Sequence, residues 1–349
     1  MLYHAALTGW GHYAPENVVT NDDLAQIVDT TDEWIRSRSG IRERRFAEAH
    51  DHTSTMSTEA ARRALDRAGL DGRDLDLILV ATSSPDFLTP PVSSQVQHAL
   101  GADRAGAMAL VVGCTGFVYG LVTAAQFIAT GAAKTVLVVG AELISRNLNM
   151  EDRSTCVLFG DGAGAVVLQA TEEPCGLRSH VLGSDGAGYD AIIQWSGGSR
   201  NPVNHERIDA NRQMLHMNGR EVFKFATRTM VESLQQVMDE AGITKADVDL
   251  FIPHQANQRI IEYAAQRLEL PMEKVMMNVE RYGNTSAATI PIALSEALDE
   301  GRAQPGDTLA MVGFGAGLTW AAAIFDLAPK TVTPATRVNG HGAISGQIA

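Results

Sequence analysis

Cysteine is scarce in this chain. Among 349 residues there are three, Cys114, Cys156 and Cys175. Three scattered thiols make neither a disulfide framework nor a cysteine-rich metal site. The histidines show no metal-ligand spacing such as His-Glu-x-x-His, so no metal is expected. No apolar run approaches the ~18 residues of a membrane span, and the first residues lack a basic stretch followed by a long apolar core. A cytoplasmic protein without membrane contact is the expectation. Positive charge is also short: 28 Lys and Arg face 41 Asp and Glu, a formal net charge of -13. That balance argues against nucleic-acid binding, and an anionic partner would need a local basic patch. Nucleotide loops are missing too. Gly160-Asp161-Gly162-Ala163-Gly164 and Gly313-Phe314-Gly315-Ala316-Gly317 fit neither phosphate-binding pattern and suit close backbone packing or N–H presentation.

What is present is a globular composition, 45% hydrophobic and 20% charged, with length for one large domain or two. One pattern recurs. Ala61 to Leu79 and Leu234 to Ile252 each read as an amphipathic helix closed by glycine, a short polar turn and an apolar strand, at an offset of 173 positions. The same offset relates Thr135–Gly140 to Thr308–Gly313. Two matches in register predict a duplicated α/β chain with halves 1–174 and 175–328 and a tail from Pro329 to Ala349. Strand runs such as Leu75–Ala81 and Thr135–Ala141 are apolar throughout, as strands covered on both faces are. The expected architecture is two similar sheets sharing a helical layer. The Gly- and Asn-rich loop from Gly183 to Met214 is expected to cover a site.

Cys114 stands between small residues, just before Phe117, Leu121, Val122, Ala125 and Ile128, which recur at helical spacing. Considered alone it reads as a buried structural thiol. At a helix start, however, the dipole end contributes up to about 2 kcal/mol and would draw a free thiol from about 8.5 to about 7. A nearby base would be needed for full ionisation. His254 directly follows the apolar run Leu250-Phe251-Ile252-Pro253, at the strand end where α/β proteins gather ligand contacts. The duplication sets Cys114 opposite Ala287, and so makes Asn284 its neighbour. Together these residues suit thioester chemistry: a thiol that accepts an acyl group, and donors for a developing enolate.

In this order and spacing, several motifs resemble the β-ketoacyl-acyl-carrier-protein synthase III family, of the thiolase-like superfamily. They are Thr31-Asp32-Glu33-Trp34-Ile35 with Ser39-Gly40-Ile41-Arg42, Gly113-Cys114-Thr115-Gly116-Phe117, Phe159 to Gly164, Pro253-His254-Gln255-Ala256-Asn257, Gly283-Asn284-Thr285-Ser286-Ala287, and Gly313 to Gly317. The resemblance spans about residues 3–328. It implies a five-layer αβαβα thiolase-like fold and a Cys–His–Asn triad at Cys114, His254 and Asn284. It also implies a decarboxylating Claisen condensation of an acyl-coenzyme A (acyl-CoA) primer with malonyl-acyl carrier protein, with no cofactor. Backbone N–H groups of Cys114 and Ala316 would hold the tetrahedral oxyanion. Coenzyme A contacts carry over to Thr30, Trp34, Arg38, Arg153, Phe223 and Asn257, with Trp34 stacking on the adenine. Carrier-protein docking carries over to Lys224 and Arg259. A homodimer is implied, the partner walling the acyl channel near Phe87–Pro91.

Departures sharpen this. No cysteine follows Cys175, unlike degradative thiolases, and Asn284 stands where elongating synthases carry a second histidine. Both favour the initiating type. In members restricted to very short primers a phenylalanine closes the acyl channel. Here Thr89 occupies that position, with Phe87 displaced by two, so an acyl pocket open to medium or longer chains is expected. Ser154, where glycine often follows the arginine, weakens the coenzyme assignment at Arg153. Two other readings stay open: a related condensing enzyme of secondary-metabolite or signal biosynthesis, and a non-catalytic acyl-thioester-binding subunit.

Overall fold

The computed structural model describes residues 3–329, so the predicted tail, Pro329 apart, lies outside the described residues. Nine strands form two main sheets. The first contains β1 (His4–Tyr13), β2 (Leu77–Ala81), β3 (Gly106–Leu110), β4 (Thr135–Glu142) and β5 (Gly162–Thr171), in the order β1-β5-β4-β2-β3. The second contains β6 (Gly176–Ser184), β7 (Leu250–Pro253), β8 (Thr308–Gly315) and β9 (Thr319–Asp326), in the order β7-β8-β9-β6. Parallel pairing joins β2 to β3 and β4, and β7 to β8, while β5 and β9 run antiparallel to their neighbours. The second sheet has one strand fewer. Where β3 has its counterpart, a single parallel bridge joins Phe251 to Val275.

Side-chain alternation sorts these strands into layers. Leu79, Val136 and Val138 of the first sheet and Ile252, Leu309 and Met311 of the second point into one shared core. That core is filled by α4 (Gly116–Ala129) and α7 (Thr289–Asp299), through Phe117, Leu121, Ile290 and Leu294. Ile78, Val80 and Val139 turn outward, against α2 (Thr53–Ala68) and α3 (Val92–Ala99). Phe251, Ala310 and Val312 turn the other way, against α5 (Gly219–Ala241) and α6 (Gln258–Leu268). The result is the five-layer thiolase arrangement, helix–sheet–helix–sheet–helix. Each large apolar side chain so buried contributes about 1.5–3 kcal/mol.

The duplication extends to single hydrogen bonds. α2 closes at Gly69 (φ 68) and α5 at Gly242 (φ 66), left-handed positions that glycine adopts without cost. Asp76 accepts from the backbone N–H of Thr135 at 3.0 Å, and Asp249 accepts from that of Thr308 at 2.8 Å. Most telling are the starts of the two central helices. A 3-10 turn at Gly113–Thr115 leads into α4, and its equivalent at Ser286–Ala288 leads into α7. Their first residues share a left-handed backbone, with φ 58 at Gly113 and 50 at Ser286.

Gly140 of β4 is what lets α7 begin so deep. A Cβ there would overlap the carbonyl oxygen of Ala287, and a backbone group cannot move aside cheaply. Gly140→Ala is therefore expected to cost about 1–3 kcal/mol, read as a lower urea midpoint at constant slope. An unchanged midpoint would show that sheet and helix have room to part.

Candidate active site

Each element end delivers one polar group to a common centre. Cys114 sits in the 3-10 turn before α4, His254 follows β7, and Asn284 precedes the turn into α7. All three line a cavity of about 310 Å³. The turn that carries Cys114 is pinned by two hydroxyls: Thr115 donates to the Val112 carbonyl at 2.6 Å, and Thr319 reaches the carbonyls of Val112 and Ala316 at 3.1 and 2.9 Å. Cys114 lies directly over Gly315, where a Cβ would stand 2.7 Å from the Cys114 nitrogen and 3.2 Å from its Sγ. That contact packs the turn at Gly315–Ala316 against the thiol's own turn, so the backbone N–H groups of Cys114 and Ala316 border the same space.

His254 is buried. Its backbone N–H donates to the Val312 carbonyl at 2.8 Å, its ring packs edge-on against Phe314 at 5.0 Å, and Nδ1 lies 2.7 Å from Thr289 Oγ1. Nε2 is the nitrogen left for the cavity. Asn284 is tied into the chain at Leu158–Gly160: its N–H donates to the Leu158 carbonyl at 2.8 Å and its carbonyl accepts from Gly160 at 3.1 Å. The buried Arg44 holds that chain in turn, donating to the Val157 carbonyl at 2.8 Å. The side-chain oxygen of Asn284 accepts from the Ser286 N–H at 2.8 Å, leaving the Nδ2 amide as its free donor.

The site is electrically quiet. Burial pushes the Cys114 thiol up to about 12, with the nearby Ser286 side chain working against the rise and the negative charge of Glu142 adding to it. Burial thus works against the expected helix-end activation to about 7, because desolvation of a thiolate opposes a dipole effect of about 2 kcal/mol at most. Burial also pushes His254 down to about 3. Thiol and imidazole are both neutral at ordinary pH. Beneath them Glu142, buried and raised to about 7, accepts hydrogen bonds from Ser84 at 2.5 Å and from Ser286 at 3.0 Å.

The chain as a whole has relatives among known proteins. Residues 102–186 match the family described as 3-oxoacyl-(acyl-carrier-protein) synthase III, and residues 238–327 match its C-terminal part. The β-ketoacyl-(acyl-carrier-protein) synthase III of Roseiflexus sp. (strain RS-1) is 51% identical over 93% of this chain and 98% of its own. The chain belongs to the synthase III family. The family's member from Symbiobacterium thermophilum is 52% identical over 90% of this chain and 96% of its own. The solved synthase III of Aquifex aeolicus superposes with a TM-score of 0.86 at 43% identity, covering 92% of this chain and 99% of that one.

The residues expected around Cys114, His254 and Asn284 divide into four sets. Trp34, Arg38, Arg153, Phe223 and Asn257 join Cys114, His254 and Asn284 on the cavity wall. Both arginines lie against Trp34, each guanidinium carbon 4.7 Å from the ring centroid, and Asn257 donates to the Arg38 carbonyl at 2.9 Å. Thr30 is not on that wall; its buried hydroxyl has no hydrogen-bond partner among the described residues. Lys224 and Arg259 are exposed beside Phe223, with the Arg259 guanidinium 5.9 Å from that ring. Phe87 and Thr89 are the exception. They face outward, Phe87 59% exposed, and within one chain neither lines the cavity. The 183–214 loop contributes to the wall through Ile192.

Sequence reasoning missed Ser286, Glu142 and Thr289. Glu142 had a signal, as a lone acid ending an otherwise apolar strand. Thr289 had another, as a hydroxyl where the first copy has Gly116. A thiol near 12 ionises in proportion to hydroxide, so alkylation of Cys114 by iodoacetamide should rise about tenfold per pH unit from 6 to 9. A plateau near pH 7 would instead reveal a thiolate already formed at the helix end.

Proposed function

We propose that this chain condenses an acyl-CoA primer with malonyl-acyl carrier protein and so begins fatty-acid chains, with Cys114, His254 and Asn284 as the reacting set. The observation that carries this reading is one cavity presenting a thiol, an imidazole nitrogen and an amide donor beside two backbone N–H groups. The Cys114 sulfur attacks the primer's thioester carbonyl, and the N–H groups of Cys114 and Ala316 take up the negative charge on its oxygen. The bond to coenzyme A breaks, and the thiol's proton ends on the departing sulfur. The malonyl carboxylate then leaves as carbon dioxide, its electron pair passing to the α-carbon. His254 Nε2 and Asn284 Nδ2 donate to the thioester oxygen as the enolate develops. The enolate attacks the acyl-cysteine, and the released Cys114 thiolate is reprotonated. Both carbonyls arrive activated as thioesters, so no cofactor is needed.

Trp34, Arg38, Arg153, Phe223 and Asn257 bind the coenzyme in this reading, and the arginine-flanked indole supports it. An adenine entering there displaces or shares the guanidinium stacking. Thr30, off the cavity wall, would reach the nucleotide end outside it. Lys224 and Arg259 give an acidic carrier its basic contact at the mouth. We further propose a homodimer: Phe87, Leu88 and Val111 are 59%, 86% and 73% exposed, beside the edge strand β3. A second copy covering them would bring Phe87 and Thr89 to the acyl channel, with Thr89 leaving room for medium or longer primers. The units 1–174 and 175–328 act together in this scheme, since Cys114 comes from one and His254 and Asn284 from the other. A cytoplasmic setting fits thioester substrates, and among the described residues no helix is long and apolar enough to cross a membrane.

Mass spectrometry after mixing with a panel of acyl-CoA donors should show a stable acyl mass on Cys114. Malonyl-acyl carrier protein should then remove it. Each added carbon pair is worth roughly tenfold in affinity until the channel fills, so octanoyl should outcompete acetyl. Acetyl winning would refute the open channel, and loading without transfer would favour a binding subunit. Reversing both charges at Lys224 and Arg259 should raise KM for the carrier-bound substrate roughly tenfold while sparing acyl loading. Equal losses in both half-reactions would contradict the docking assignment.

A further inference from the structure

Gly113 and Ser286 stand at the same place in the two copies, 173 positions apart, and each opens the 3-10 turn that leads into a central helix. Both turns close alike: the Gly116 N–H donates to the Gly113 carbonyl, and the Thr289 N–H to the Ser286 carbonyl. Both first residues are left-handed, at φ 58 and φ 50. Glycine adopts that backbone freely, whereas a serine does so only at a cost, because its Cβ crowds the backbone. The second copy therefore needs a restraint that the first does not. The Ser286 side chain supplies one. Its hydroxyl donates to Glu142 Oε1 at 3.0 Å, and its single hydrogen is thereby committed. Glu142, fully buried at the end of β4, also accepts from Ser84 Oγ at 2.5 Å, from the Ser83 N–H at 3.1 and 3.2 Å, and from Thr82 Oγ1 at 3.4 Å. One carboxylate thus ties the exit of β2 to the entrance of α7.

We propose that Glu142 is a positioning residue for Asn284, acting through Ser286. The Ser286 N–H donates to Asn284 Oδ1 at 2.8 Å, so the backbone at position 286 decides which end of that amide meets the cavity. With the turn held, the oxygen is occupied and Nδ2 is left to face the substrate. With the turn relaxed toward negative φ, the N–H leaves Oδ1 and the amide is free to rotate, turning its oxygen toward a developing negative charge for part of the time. The carboxylate suits this hold: ionised, it only accepts, and each group hydrogen-bonded to it is a donor. Its bonds to Ser83 and Ser84 fix it on the first sheet, so a strand of one half sets a turn of the other. This inference rests on the donor role given to Asn284 in the proposed condensation.

Alanine and glycine at position 286 separate this from a general structural role. Ser286→Ala removes the hydroxyl and keeps the Cβ, so it should slow decarboxylation of malonyl-acyl carrier protein roughly tenfold while leaving acyl loading of Cys114 within about twofold. Ser286→Gly removes more atoms yet frees the backbone, and should lose no more than roughly threefold. Glu142→Gln leaves one oxygen for four donors. It should slow decarboxylation roughly tenfold in the parent chain and no more than about twofold in the Ser286→Gly chain. Equal losses in the alanine and glycine variants, or a greater loss with glycine, overturn the proposal, as do fully additive losses for Glu142→Gln. Crystal structures give a reading independent of activity. In Ser286→Ala the N–H of residue 286 should leave Asn284 Oδ1, and a turn unchanged at positive φ refutes the proposal. Absence of any decarboxylation by the unaltered enzyme would refute the condensation but not the hold on the turn, which the crystal structures decide.

Discussion

Two helices begin at the same depth between two sheets, and the rest of the site follows from that. α4 and α7 fill the shared core with Phe117, Leu121, Ile290 and Leu294. A helix whose first turn is buried cannot satisfy its first N–H groups with water, so those groups turn to the few polar atoms at its start. In both copies the chain enters through a left-handed residue and a 3-10 turn, at Gly113 and at Ser286. One entrance carries the thiol; the other carries Ser286 and Thr289, just after Asn284. Close approach at Gly315 then seats the C-terminal glycine turn on Cys114. Symmetry supplies the scaffold, and the departures from symmetry supply the chemistry.

The same burial sets the electrostatics. An isolated helix end would favour a thiolate, but burial disfavours an isolated charge on either group, raising Cys114 and lowering His254. The polar groups around it are held by neutral hydrogen bonds: Asn284 by the Ser286 N–H, His254 by the Thr289 hydroxyl. Glu142 sits below with Ser84 and Ser286 as donors, its carboxyl raised to about 7 rather than left far out of range. Charge is concentrated instead at the mouth, where Arg38 and Arg153 flank Trp34 and Arg259 lies over Phe223. A neutral interior with a basic rim is a sensible division for thioesters whose carriers are anionic and whose reacting ends are not.

Much of this was legible before any coordinates. The offset of 173 positions between the two helix–turn–strand units foretold two related sheets. It foretold the facing helix starts as well, because a repeated pattern of apolar faces must be buried in a repeated way. Cys114, His254 and Asn284 each sit just beside a periodic segment, so their addresses could be read from the elements they border. Phe87 and Thr89 were read as an acyl pocket, yet one chain leaves them outside the cavity, since their segment packs outward from the end of β2.

What the sequence by itself determined was the repeated layering and the order of the polar residues that meet at the cavity. These depend on periodicity and on neighbours in the chain. Only the tertiary structure decided the thiol's ionisation, the pairing of Ser286 with Glu142 across 144 positions, and that of His254 with Thr289 across 35. Desolvation and hydrogen-bond geometry are properties of what surrounds a group in space, and no local pattern of residues encodes them.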